Sequence, residues 1–285
     1  MTKPARPQIG MIHSLARSGA TIMARQIAAM DQIALYSEVH PLGPPLVGGT
    51  VPPDTFIFNL RVQAGVWFQL YAEHEAKAIF AKAQEPNDEA VLRDVMGRTL
   101  AAGRYPVLRD WSHMDFLGAP FTEPTNQPVL LEMAARYFTV RRAGLIRHPM
   151  ANYASLFGLE NMVAPYSGVD GFNRFIAGMD RFVGAMDDVP FFRYEDFVTD
   201  RQTLVLDLAA ALGAPFDADF EAKAERYHFI TGDVAGIGNR RLARQTRTVS
   251  RNIWAAAQEH PVYNQLLHRF GYPTDQLPQG LQITD

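Results

Sequence analysis

The chain has 285 residues, of which 47% are hydrophobic and 20% charged, ordinary globular usage that excludes a disordered or fibrous protein. Its 27 Lys and Arg against 30 Asp and Glu give a formal net charge of −3, so the surface as a whole is not built to hold nucleic acid. Having no cysteine, it can form neither disulfides nor thiolate zinc sites, and it has no cysteine nucleophile.

Residues 1–8 are polar and proline-rich, lack the apolar core of a secretory signal and are expected to be flexible. No run approaches the ~18 uninterrupted apolar residues of a membrane span. The expectation is a soluble, cytoplasmic protein of bacterial type with no membrane partner.

An apolar run over 9–14, a turn of small residues and a helical pattern over 21–30 read as strand, turn and helix. That order is the front end of a nucleotide-binding α/β unit. A second strand is predicted over 33–37, and the proline- and glycine-rich stretch 42–56 reads as loop or lid. Helices follow near 65–83 and 88–102. Later buried strands are predicted over 106–109, 139–146 and 190–194, with helices over 149–160, 171–186, 202–213 and 251–269. Strands alternate with helices without a Ser/Gly-rich linker, which predicts a single α/β domain over 1–285.

Two patches carry chemistry. The turn Ser14-Leu-Ala-Arg-Ser-Gly-Ala-Thr21 offers backbone N–H groups and a helix N-terminus to an anion. A P-loop NTPase needs Gly-x-x-x-x-Gly-Lys-Ser/Thr. Alignment on Gly19 and Thr21 puts Ser14 at the first glycine and Ala20 at the lysine, with the positive charge at Arg17 instead. That departure weakens a kinase or ATPase reading. The second patch ends a strand with Arg147, follows it with His148 and Pro149, and carries Ser155 eight residues after Arg147. Pro149 suits a first helical position, and Arg147 falls where open α/β sheets bind ligands. The plainer readings are a glycine turn and a sheet-capping arginine.

On these residues the chain resembles the sulfotransferases that use 3′-phosphoadenosine 5′-phosphosulfate (PAPS). Arg17-Ser-Gly-Ala-Thr21 looks like their 5′-phosphosulfate loop, and Ile146-Arg147-His-Pro149 through Ser155 like their 3′-phosphate motif. Arg193-Tyr-Glu-Asp196 is similar to a Tyr-Glu-Asp strand end found late in many members, and Gly238-Asn-Arg240 to a C-terminal segment of bacterial ones. Four patches in family order span nearly the whole chain. The resemblance implies a P-loop-like, three-layer α/β fold whose central parallel sheet is flanked by helices.

It also implies PAPS bound by Arg17, Ser18, Gly19, Ala20, Thr21 and Ile22 at one end and by Arg147, Ser155, Asn239, Arg240 and Arg241 at the other. Ala20 stands where the family usually has a threonine, and backbone donors are expected to compensate. Ile22 stands where an aromatic residue often does, which leaves adenine contact to Tyr194. No metal is implied, and His40, His113 and His148 show no ligand spacing.

For the acceptor's proton the first candidate base is Glu38, by analogy with the glutamate of tyrosylprotein- and heparan-type sulfotransferases. The second is His113, near where cytosolic members carry a catalytic histidine. Arg17 is expected to stabilise the leaving group, Arg109 to touch sulfuryl oxygens, and Asp110 alternatively to pair with Arg109. Arg240, Arg241, Arg244, Arg247 and Arg251 could be a nucleic-acid patch, but the overall charge favours a phosphate clamp. The acceptor is expected to be a small molecule, met by 42–56 and by Phe56, Phe58, Trp67, Phe68, Tyr71, Trp111 and Phe116. An ATP-dependent kinase and a non-catalytic nucleotide-binding protein are the alternatives, and the residues leave the oligomeric state open.

Overall fold

The computed structural model describes residues 5–42, 58–83, 85–232 and 247–285. Five strands, β1 (Gln8–Ser14), β2 (Ile33–Val39), β3 (Tyr105–Asp110), β4 (Thr139–Ile146) and β5 (Phe191–Arg193), form one sheet in the order β2-β3-β1-β4-β5. Every neighbouring pair in it is parallel. Parallel strands need crossovers, and the helices that supply them cover both faces. On one face Ile12, Val107 and Leu145 pack with Met23 and Ile27 of the helix Ala20–Ala28 and with Leu208 and Leu212 of Arg201–Leu212. On the other, Ile9, Met11 and Leu108 pack with Leu60, Val95 and Leu130. This is the expected three-layer α/β fold.

The chain leaves β1 toward β2 and β3 on one side, then crosses to β4 and β5 on the other. β1 therefore marks the switch point, where the carboxyl ends of the strands open a crevice for ligands. The first loop begins there.

The elements depart from the predicted pattern at capping and breaking residues. The helix predicted over 65–83 is two, Leu60–Val66 and Glu73–Ala81. Asn59 starts the first by accepting from the N–H groups of Arg61 and Val62, and Gln69 turns the chain between them at φ 53°. The stretch predicted over 251–269 is also two helices, Arg251–Glu259 and Pro261–Phe270. Pro261 cannot continue a helix from His260, whose ring instead caps the second by accepting from Tyr263 N–H. The helix predicted over 149–160 stops at Leu156, and a separate one runs from Glu160 to Tyr166. β5 is only three residues long, because Tyr194 already opens the helix Tyr194–Thr199. A small parallel pair, β6 (Arg247–Ser250) with β7 (Leu281–Thr284), was not foreseen.

β2 extends past the predicted 33–37 and carries an irregularity that matters below. Its register with β3 shifts between Tyr36 and Val39, and Glu38 within the shift takes φ 53°. A bulge of this kind re-aims a side chain. Gln63, buried on the helix Leu60–Val66, holds the backbone of Ser37 on both sides, accepting from its N–H at 2.7 Å and donating to its C=O at 2.7 Å.

Among the described residues no helix is long and apolar enough to cross a membrane.

Candidate active site

After β1 the chain turns through Arg17, at φ 66°, and Gly19, at φ 87°, into the helix Ala20–Ala28. Gly19 is required twice over. Its backbone is left-handed, and a Cβ there would lie 2.2 Å from the ring of Tyr194. Its N-cap, Gly19, has no side chain to cap the first turn, which leaves N–H groups at the positive end of the helix dipole beside the cavity.

Arg17 reaches across to the second patch. Its Nε donates to the Ser155 backbone oxygen at 3.1 Å and to Ser155 Oγ at 3.2 Å. The serine expected at the 3′-phosphate thus also anchors the arginine expected at the 5′-phosphosulfate. Arg147 leaves the end of β4 with its guanidinium 4.9 Å above the Tyr194 ring. No carboxylate lies within ion-pair reach of Arg147 among the described residues, and its buried Nε has no hydrogen-bond partner. Burial is the main cause that pulls this guanidinium below the ordinary arginine pKa.

The Arg193 to Asp196 patch knits these parts together. Arg193 donates to both carboxylate oxygens of Asp196, at 2.7 and 2.5 Å, and to the Phe270 backbone oxygen at 2.8 Å. Glu195 accepts from the His148 backbone N–H at 3.1 Å and from the Tyr272 hydroxyl at 2.8 Å. His148 itself caps the helix Pro149–Leu156 by accepting from Met150 N–H. Glu195 belongs to the Tyr-Glu-Asp patch singled out in the sequence, without a role assigned to it, whereas Tyr272 drew no attention there. The signal available for Tyr272 was its place after Gly271, the left-handed C-cap of a helix, and before Pro273.

The third group surrounds Arg109, which is fully buried. Its Nη1 donates to Thr21 Oγ1 at 2.9 Å, and its Nη2 donates to the Thr231 backbone oxygen at 3.2 Å and pairs with Glu38 Oε1 at 2.8 Å. The sequence reading that paired Asp110 with Arg109 is therefore corrected. Successive strand residues point to opposite faces. Asp110 instead accepts from Ser112 Oγ at 2.7 Å and bonds His13 Nδ1 at 2.9 Å.

Arg17, Gly19, Ala20, Thr21, Ile22, Glu38, Arg147, Ser155 and Tyr194 line one cavity of about 950 Å³, with Arg109 and Tyr272 beside them. Ser18 is buried behind the loop, its hydroxyl without a partner. His113 is not in the lining. It is fully buried, with Nε2 against the Ala119 backbone oxygen at 2.9 Å, and burial lowers its pKa to about 4. Asn239, Arg240, Arg241, Arg244 and most of 42–56 lie outside the described residues. Of the aromatics expected at the acceptor, Trp111 lines the cavity, with Phe58 stacked on it at 5.1 Å. Phe68 and Phe116 are instead core residues, and Tyr71 bonds Asp94. Phe121, Leu159 and Met162 line the cavity in their place.

His148 shares the burial effect, its pKa likewise lowered to about 4. Both rings are thus held neutral in the folded chain while they take protons near ~6.5 when unfolded. Between those values the unfolded state binds more protons, so stability falls as pH drops. The melting temperature is expected to decline from pH 7 to pH 5, and His113→Gln to flatten that slope, measurable by calorimetry at each pH.

No family model matches the chain, and no curated protein matches it in sequence. Solved structures do. The sulfotransferase domain of the olefin synthase from Synechococcus PCC 7002 superposes with a TM-score of 0.63 at 16% identity, over 97% of this chain and 98% of that one. The sulfotransferase domain from the curacin biosynthetic pathway gives 0.56 at 16% identity, over 96% and 100% respectively. The chain has the fold of the sulfotransferases.

Proposed function

We propose that this protein transfers the sulfuryl group of PAPS to a hydroxyl or amine of a small-molecule acceptor, leaving adenosine 3′,5′-bisphosphate (PAP). One observation carries the reading. Arg17 and Ser155, from patches far apart in the chain, bond to each other on the cavity that Arg147 also lines. A buried guanidinium with no carboxylate within ion-pair reach among the described residues is costly unless an anion completes it, and a phosphate fits that fork. The fit of the donors supports the same ligand. Uncapped helix N–H groups and Arg17 suit the 5′-phosphosulfate, and Arg147 suits the 3′-phosphate.

In this reading the acceptor's oxygen or nitrogen attacks sulfur while the bond from sulfur to the 5′-phosphate oxygen breaks. The electron pair stays on that oxygen, where Arg17 and the helix N–H groups stabilise the growing charge. Glu38, on the cavity wall, takes the proton of the attacking group. The apolar side chains of Trp111, Phe121, Leu159 and Met162 support an acceptor with an apolar body.

The first test is a thermal-shift comparison, followed by turnover. PAP is expected to raise the melting temperature well beyond an equal concentration of ATP, by ~2.7 kcal/mol of stability at a hundredfold excess over its Kd. PAPS with a panel of hydroxylated and amino acceptors is then expected to release PAP. ATP stabilising as well as PAP would favour the kinase reading. PAP binding without turnover on any acceptor would favour the non-catalytic one.

A further inference from the structure

The transfer step above leaves the bonds of the buried Arg109 unused. We infer that Arg109 is a positioning residue that fixes the Glu38 carboxylate relative to the phosphosulfate loop. The inference rests on the reading of Glu38 as the base.

Glu38 sits in a bulge of an edge strand with a left-handed backbone, a conformation that non-glycine residues hold only when their surroundings enforce it. A closed ring of bonds does so here. Thr231 donates from its N–H at 3.2 Å and its hydroxyl at 2.8 Å to Ser37 Oγ, the side chain before Glu38. The Thr231 carbonyl accepts from Arg109 Nη2, and the same Nη2 pairs with Glu38 Oε1. The ring therefore fixes both bulge residues through one guanidinium.

Arg109 Nη1 extends this frame to Thr21, in the first turn of the helix that receives the phosphosulfate in the proposed reaction. Gly232 closes the remaining space. A Cβ there would lie 2.5 Å from Thr21 Oγ1 and 3.4 Å from Glu38 Oε1. Arg109 is the charged side chain within ion-pair reach of Glu38 among the described residues. The planar fork serves Thr21 from one nitrogen and Thr231 and Glu38 from the other, whereas a lysine has all its donors on one nitrogen and cannot occupy both positions. The arrangement couples where the base stands to where the leaving group is held, and a small misplacement of either slows an in-line reaction sharply.

The test is Arg109→Lys, with Arg109→Gln as a second variant and Glu38→Gln measured in parallel. For Arg109→Lys, kcat is expected to fall on the order of 10- to 100-fold. PAP affinity by calorimetry should stay near that of wild type. The loss should fall on kcat with the acceptor's KM little changed, and be deeper in Arg109→Gln than in Arg109→Lys, which keeps a cation. If kcat, PAP affinity and melting temperature fall together while the acceptor's KM rises, Arg109 is only a packing residue and the inference is overturned. It is also overturned if Arg109→Lys keeps wild-type kcat while Glu38→Gln is inactive, which leaves the base reading intact. An active Glu38→Gln instead removes the base reading itself.

Discussion

Glu38→Gln is expected to lower kcat about 10²–10⁴-fold, the usual worth of a positioned proton acceptor, while PAP binds essentially as in wild type. The amide keeps the shape of the carboxylate and can still accept from Arg109 through its oxygen, so the bulge of β2 should survive. Only the ability to take a proton is removed. His113→Ala is the comparison. Because His113 lies sealed beneath Ala119, its loss should register in melting temperature before turnover. A pH profile alone does not separate the two candidates, because burial lowers the histidine's pKa to about 4, into the range where carboxylates titrate. Substitution does separate them. Near-normal turnover in Glu38→Gln with none in a folded His113→Ala would assign the proton to the histidine.

Arg147→Ala is expected to weaken PAP binding by ~1.5–3 kcal/mol, the worth of a charge-assisted bond. The substitution removes the cation from the face of Tyr194 as well as from the phosphate, so circular dichroism and melting temperature should accompany the calorimetry. Adenosine 5′-phosphosulfate, which lacks the 3′-phosphate, isolates the term. It should bind wild type and Arg147→Ala almost equally. Equal loss for both ligands would mean that Arg147 supports the site's shape and not the 3′-phosphate.

Most of the sheet was legible in the sequence because fully buried parallel strands read as continuous apolar runs. β4 falls on the predicted 139–146, and the turn ending at Thr21 was identified from its small residues and following helix. Helix breaks were harder to read. His260 and Asn59 act through their side chains as caps, and periodicity does not register a cap inside an amphipathic run. The pairing of β6 with β7 joins short segments about thirty residues apart, with no local pattern to announce it. Within the site, Arg147 was singled out by its place after a strand, Tyr194 and Glu38 by the family resemblance, and all three line the cavity. For Arg109 the alternative partner Asp110 is excluded by the alternation of side chains along β3, and the observed pair with Glu38 was not anticipated. Aromatic residues carried the weakest signal. Phe116 and Trp111 look alike in composition, yet one fills the core and the other faces the cavity.

The place of β1 has a consequence for how the chain reaches this state. Gly10 pairs with Val107 on one side and with Arg141 on the other, so the central strand finds its neighbours only after roughly a hundred residues have followed it. During synthesis its apolar residues Ile9, Met11 and Ile12 emerge long before anything can cover them. The loop after β1 cannot settle even then, because Gly19 rests against a ring on residue 194. Refolding from denaturant should accordingly be slow for a chain of this length and sensitive to protein concentration, since an uncovered central strand is a template for association. An N-terminal fragment ending before β4 would lack a partner strand for one edge of β1 and should be held by chaperones or aggregate.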